Sequence, residues 1–354
     1  WIMAYTTIDD PAQFFNVKIY APDGSSSFAV TGVGFQPDWV WLKSRSYAED
    51  HQLNDSVRGA TKGLQANLTN AEATQSNGLT SFDSDGFTVG NLSDYNYNGD
   101  SIVSWNWKAG TSFTNDASAT SIGSIDSSGS VNETAGFSIC TYTGVSSAGT
   151  IKHGLSTVPS VIIWKNRSAS NGWITYHHKN TSAPETDYLE LHNDSATADL
   201  NTIMNDTAPT SSVFSIGTEG AVGGSNTNNF VSYIFSERKG YSKFGKYRGN
   251  GDANGPFVYL GFRPIWCMFR NTAGDKWSIY DAKRSPFNVV DDNIRANQSN
   301  AEVDQANKEV DFLSNGIKIR TSSGEWNGDG NDIIFFAFAE SPFVNSKGTP
   351  TNAK

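Results

Sequence analysis

Apolar and aromatic residues fall in short runs separated by Gly, Asn, Asp and Ser, and they rarely recur at the 3.6-residue spacing of a helix. Runs such as Asp38-Trp-Val-Trp-Leu42, Ser160-Val-Ile-Ile-Trp164 and Ile265-Trp-Cys-Met-Phe269 are continuously apolar. That is the pattern of strands covered on both faces. Turn residues return at intervals of roughly 8–12 residues, the spacing of a sandwich or barrel. The pattern predicts an all-β chain. Its best helical candidate, Asn300 to Val310, is polar and short.

The same grammar occurs three times. Each instance opens with a Tyr-containing strand: Phe15 to Tyr20, Phe137 to Tyr142, and Phe244 to Tyr247. Each continues through a proline, an apolar run and a basic residue, from Pro37 to Lys43, Pro159 to Lys165 and Pro264 to Arg270. Asp55-x-x-Arg58 matches Asp281-x-x-Arg284, with His177 in the middle copy's first column, and Asn67-Leu-Thr-Asn-Ala-Glu72 matches Asn297-Gln-Ser-Asn-Ala-Glu302. Near-constant intervals then lead to strands at Phe87, Phe214 and Ile317, two of them behind Asp85-Gly86 and Asn315-Gly316, the strongest short hairpin signal. The copies close on Trp105-Asn-Trp107, Tyr233-Ile-Phe235 and Phe336-Ala-Phe338.

These columns predict three tandem antiparallel β-sandwich modules, of jelly-roll or lectin-like kind, over 12–110, 136–240 and 241–343. Short segments flank them at 1–11 and 344–354. Residues 111–135 are rich in Ser, Thr, Gly and Asp and read as an extended linker. The second junction, Glu237-Arg-Lys-Gly-Tyr-Ser-Lys-Phe244, is shorter and more aromatic, so copies two and three are expected to pack together.

Composition narrows the function. The chain carries 26 Lys and Arg against 36 Asp and Glu, a net charge of −10, which disfavours a nucleic-acid binder that tracks phosphates with clustered cations. Charged residues are only 18% while aromatics reach 12%, enough large rings to build cores and to argue against disorder. Cys140 and Cys267 have no CxxC or Cys/His metal spacing. They read as two buried thiols, with one long-range bridge as the alternative. No signal peptide is read in Trp1-Ile-Met-Ala-Tyr5, and no stretch approaches the ~18 apolar residues of a membrane span, so no membrane insertion is expected.

Several strings carry a resemblance: Met3-Ala-Tyr-Thr-Thr-Ile-Asp-Asp-Pro11, Gln36-Pro-Asp-Trp-Val-Trp-Leu-Lys43, Phe82-Asp-Ser-Asp-Gly-Phe87, Trp105-Asn-Trp-Lys-Ala-Gly110 and Ala337-Phe-Ala-Glu-Ser-Pro-Phe343. The chain resembles a family of repeat proteins encoded by marine bacteriophages, cyanophages among them, regarded as virion appendage or tail-fibre-like components. The resemblance spans nearly the whole chain. It implies a structural role on the virion surface, other virion proteins as partners, a homotrimer, and adhesion to host cell-surface glycans. It also implies Met3 as the usual start and leaves Trp1-Ile2 unexplained. The rival classes are a secreted or surface lectin, a purely mechanical scaffold and a polysaccharide depolymerase.

The candidate chemistry is sparse. Glycan hydrolysis needs two carboxylates about 5–9.5 Å apart. Asp55, Glu72, Asp281 and Glu302 instead recur as repeat columns, which favours Asp–Arg pairs bracing loops, so no catalytic residue is assigned. Asp83-Ser-Asp85-Gly86 and Asn327-Gly-Asp329-Gly-Asn-Asp332 look like fragments of calcium loops. They lack the closing Glu and flanking helices, so they read as turns, with calcium as the alternative, and no other metal or cofactor is expected. His177-His178 read as ordinary surface histidines, since neighbours on a strand face opposite ways. Sugar-binding aromatics are the remaining option, because an exposed ring stacks on a sugar's apolar face while Asn and Asp bond its hydroxyls. Aromatics in polar surroundings are Tyr95, Tyr97, Trp173 and Trp326, the candidate glycan-binding residues.

Overall fold

Strand outweighs helix by 42% to 6%, and helix is confined to single turns such as Ser93–Asn96 and Gly324–Asn327. A computed structural model describes residues 5–304 and 307–351. Trp1-Ile2 and Met3 lie outside the described residues. Within the stretch expected to be helical, Val303–Asp304 is a strand and Val310 begins another. No helix among the described residues is long and apolar enough to cross a membrane.

The described strands form six antiparallel sheets that fall into three pairs along the chain. In the first segment a six-stranded sheet has the order Phe15–Tyr20, Ile102–Trp107, Trp39–Ser44, Gln52–Asp55, Lys62–Gln65, Ala73–Thr74. Its companion has the order Phe28–Thr31, Gly86–Val89, Leu79–Asp83. The third segment repeats both orders: Ser242–Arg248, Asp332–Pro342, Phe262–Asn271, Ser278–Asp281, Asp292–Arg295, Val303–Asp304, with Phe257–Tyr259, Gly316–Ile319, Val310–Leu313 beside it. The second segment keeps the large-sheet order from Phe137–Thr143 to Ala198–Asp199, and its small sheet pairs Gly149–Lys152 with Val213–Ile216.

Residues 111–135 are not an extended linker. Thr111–Asn115 and Ser127–Asn132 are two further strands that extend the second segment's large sheet to eight, in register from Thr111↔Val131 and Ser127↔Tyr142. Their small polar side chains suit strands that extend a sheet through the backbone while burying little apolar surface.

Two kinds of core follow from sheets buried on both faces. Each small sheet packs on the outer face of its large sheet, giving separate clusters around Leu42 and Phe87, around Trp164 and Phe214, and around Phe269 and Ile317. The inner faces of all three large sheets meet in one shared core. Trp107, Phe235 and Phe338, the same column in each copy, form its centre with ring centroids 5.8–6.4 Å apart. Trp39 stacks on Tyr233 at 4.2 Å across the boundary that the linker was expected to separate. The void left among these rings is about 10 Å³ and wholly apolar, no place for an ordered water. The strand tryptophans Trp39, Trp41, Trp105, Trp107, Trp164 and Trp266 are all buried, as their apolar columns require.

Hydrogen bonds close the three segments into a ring. Glu72 N donates to Arg167 O at 2.9 Å, Thr197 N to Thr272 O at 2.8 Å, and Glu302 N to Arg45 O at 2.9 Å. These contacts run first to second, second to third, and third back to first. A second set repeats the circuit: Trp173 Nε1 to Gln65 O, Trp277 Nε1 to Glu190 O, and His51 Nε2 to Arg295 O, at 2.8–2.9 Å. A third runs through one matched column, Asp55, His177 and Asp281, accepting at the two aspartates and donating at the histidine. Tyr233 OH bonds Asp55 at 2.7 Å, His177 Nε2 bonds Phe335 O at 3.3 Å, and Trp105 Nε1 bonds Asp281 at 3.0 Å.

Both expected hairpins form, but the turn pairs are Ser84-Asp85 and Ser314-Asn315, with Asp83 opposite Gly86 and Leu313 opposite Gly316. The glycines serve the neighbouring strand instead. A Cβ on Gly86 would collide with Val30 O, and one on Gly316 with Val258 O.

Candidate functional site

The repeated charged residues are part of the closure. Arg58 and Asp55 are paired with no side-chain exposure, and so are Arg284 and Asp281. Glu72 completes the first group, 3.0 Å from Arg58 and 2.8 Å from Arg167 of the second segment. Burial alone would raise its pKa, but Arg167 and Arg58 outweigh that and hold it below the usual carboxylate value. Glu302 is bound in the same way by Arg284 and by Arg45 of the first segment. These carboxylates brace loops, as their repetition predicts.

His177 corrects the reading of surface histidines. It is fully buried, and burial, then His178 and Lys179, push its pKa down to about 3, so it is a neutral donor within the core. Asp83 accepts from Ser81 and Thr88, Asp85 accepts from Gly32 N and Gly34 N at 2.9 and 2.7 Å, and Asp332 is paired with Lys246. Cys140 and Cys267 are free, buried thiols in separate outer cores.

Three of the four nominated aromatics have no face to offer a ligand. Tyr95, Trp173 and Trp326 are 0–1% exposed. Tyr95 and Trp326 occupy matching positions on the single-turn helices, each beneath a first-strand tyrosine: Tyr20 OH bonds Tyr95 O and Tyr247 OH bonds Trp326 O. Trp173 matches Trp277, and both indole N–H groups sit in the closing seams. Polar neighbours in sequence misled here because these rings point inward while Asn and Asp beside them cap the backbone. The matching columns are the signal that could have placed them.

Tyr97 is different. It is 50% exposed, and its ring meets that of Tyr47, 42% exposed, edge to face at 5.1 Å. Tyr47 was missed in sequence; it stands where the corresponding loops carry Ala169 and Gly274. Two loops hold the pair together. Arg45 N donates to Ser101 O at 2.8 Å, Ser101 N to Asp100 at 2.6 Å, and Lys43 Nζ to Ser44 O and Tyr47 O at 2.7 and 3.1 Å. Burial pushes the Lys43 pKa down to about 8, against the pull of Asp100, Glu49, Asp50 and Asp94.

Asp94 stands three residues before Tyr97, on the helical turn that Tyr97 caps, and acts electrostatically on Lys43, which holds Tyr47 O. Its counterpart Glu325 accepts from Ser278 and is paired with Lys308 and Arg295. Asp94 has Gln52 as its donor and is in hydrogen-bond contact with Glu49. Burial first, then Glu49 and Asp50, push its pKa up to about 7. Tyr47 and Tyr97 thus present two ring surfaces near Asp94, whose carboxyl can accept from hydroxyls and, while protonated, donate to them. No curated protein matches the chain. A family model described as a domain of unknown function (DUF7483) matches residues 10–342, running through all three segments as one unit, and the chain belongs to the DUF7483 family.

Proposed function

We propose that the chain is a structural component of a bacteriophage virion, a tail fibre, spike or capsid decoration, built from three jelly-roll or lectin-like sandwich modules copied from one unit. It adheres to host cell-surface glycans through the Tyr47–Tyr97 tip, performs no bond-cleaving chemistry, and assembles as a homotrimer beside other virion proteins. The observation that carries the reading is the division of labour among polar residues. Asp55, Arg58, Glu72 and their third-segment counterparts hold sheets together, while two half-exposed rings near Asp94 face solvent. Rigid β-modules with a small aromatic tip suit adhesion. The virion setting rests on the resemblance of the sequence strings.

The test measures binding of the purified chain to host surface polysaccharide, with mass spectrometry of purified particles alongside. Aromatic contacts are worth roughly 0.5–1.5 kcal/mol each, so Tyr97→Ala and Tyr47→Ala should each weaken binding about two- to tenfold. Both sites are exposed, so thermal midpoints should hold. Polysaccharide chain length should stay constant on prolonged incubation. Binding unchanged in the double variant removes the tip from the proposal. Binding by a protein absent from particles supports a secreted lectin instead.

A further inference from the structure

A cleft lies where the second and third segments meet. The strand Ser242–Arg248 is the edge of its large sheet, and Phe257–Tyr259 is the edge of the small sheet above it. Between them is a cavity of about 480 Å³, floored by Phe335 and rimmed by Phe257, Tyr259, Lys243, Lys246 and Lys179. That volume lies within the roughly 300–1,000 Å³ of small-ligand sites. Phe257 and Tyr259 are 47% and 49% exposed, and at alternate positions of one strand they stand on the same face.

The cleft reverses the sign of a protein whose net charge is −10. Lys246 is paired with Asp332 at 2.8 Å. Lys243 Nζ donates to Tyr259 O at 2.7 Å and lies 5.4 Å from the centre of that residue's ring. Lys179 makes no ion pair among the described residues and is exposed. The facing carboxylate, Glu237, is already engaged, accepting from Phe244 N at 2.8 Å and lying 3.8 Å from His178.

From this the geometry points to a binding site for a carboxylated saccharide. The two rings take the apolar faces of sugar units, and the Lys179 and Lys243 ammonium groups take the carboxylate. A single-stranded nucleic acid fits less well, because it needs a continuous cationic track along its backbone. The site shares no residue with the Tyr47–Tyr97 tip and stands whether or not that tip binds glycans.

The experiment titrates the full chain with three carboxylated oligosaccharides, oligogalacturonate, oligomannuronate and sialyllactose, each beside its methyl ester, by saturation-transfer NMR. At least one acid should bind, and its ester should bind more weakly. Lys179→Gln should weaken the acid roughly two- to fivefold, the range of an exposed ion pair, and leave the ester unchanged. Phe257→Ala should weaken both forms, and Tyr97→Ala neither. Three results would each overturn the assignment: no acid binding, acid and ester binding equally, or a short oligonucleotide displacing the acid at lower concentration than any saccharide. Thermal midpoints within the wild-type range show that Lys179→Gln and Phe257→Ala remain folded.

Discussion

Ring closure makes a thermodynamic claim that can be measured at one seam. Asp55 belongs to the first segment and Tyr233 to the second, yet the tyrosine hydroxyl bonds the carboxylate at 2.7 Å, and Arg58 Nη2 donates to that hydroxyl at 3.2 Å. Asp55 and Arg58 have no side-chain exposure. Asp55→Asn therefore leaves a buried guanidinium whose remaining carboxylate partner is Glu72, and breaking a buried pair costs about 3–5 kcal/mol. Tyr233→Phe removes the hydrogen bond to the charged acceptor, worth about 1.5–3 kcal/mol, together with the longer one from Arg58 Nη2, which keeps Leu53 O as a partner and is lost equally in both backgrounds. In the Asp55→Asn background the hydroxyl meets a neutral acceptor, and its loss costs only about 1 kcal/mol. The double variant should thus be less destabilised than the sum of the singles by roughly 0.5–2 kcal/mol, inside the range for residues in contact.

The assay is a denaturant double-mutant cycle, with native-state hydrogen exchange on each variant. Because the seam joins segments, Asp55→Asn should lower protection in Asn229–Phe235 as well as in Gln52–Asp55. Additivity within about 0.5 kcal/mol, or loss of protection confined to the first segment, would refute coupling through this contact.

Two further outcomes test the core. Trp173→Ala and Trp326→Ala should each destabilise the fold by about 3–5 kcal/mol as buried-ring truncations, while glycan binding per folded molecule is unchanged; equilibrium unfolding beside the binding assay checks both. His177 sets an acid limit: its pKa is near 3 when folded against about 6.5 when unfolded, so below pH 6.5 the unfolded state takes up the proton and stability falls with pH. By pH 5 the loss is about 2 kcal/mol from this residue. Asp94, held up to about 7, acts with the opposite sign, so the readout is the pH profile of wild type minus that of His177→Gln; this difference should fall by about 2 kcal/mol on acidification to pH 5, and a flat difference would refute the assignment.

Much of the strand framework was legible because residues under repeated structural demand recur in type and spacing. The strands that carry Trp39 and Trp41 and Trp105 and Trp107, and the pairing of Asp55 with Arg58, were placed correctly by that logic alone; it asks for one core tryptophan from each pair, whereas both of each are buried. Closure of the ring was not legible. It depends on contacts such as Tyr233 with Asp55, whose partners are far apart in sequence and leave no local periodicity. Residues 111–135 were misread because edge strands bonded through the backbone need few apolar side chains, so composition alone resembles a linker. Tyr95 and Trp326 were misread because their neighbours are polar. Comparison down the columns, where the two residues align, carries the opposite and correct message.

That contrast separates structure from chemistry in this chain. The matching aromatic columns and the Asp–Arg pairs are buried, and several of them are bonded to the next sheet, so changing one of those opens a seam. Positions that break the match escape that demand. Tyr97 stands opposite Gly328, Tyr47 opposite Ala169 and Gly274, and Asp94 lacks the Lys308 and Arg295 that neutralise Glu325. An exposed ring pair near a carboxyl held close to neutrality does nothing for the shared core, since Tyr47 and Tyr97 lie outside it. Divergence at buried columns would weaken the closure, whereas divergence at this tip leaves it intact, so a ligand surface can form there without loosening the ring.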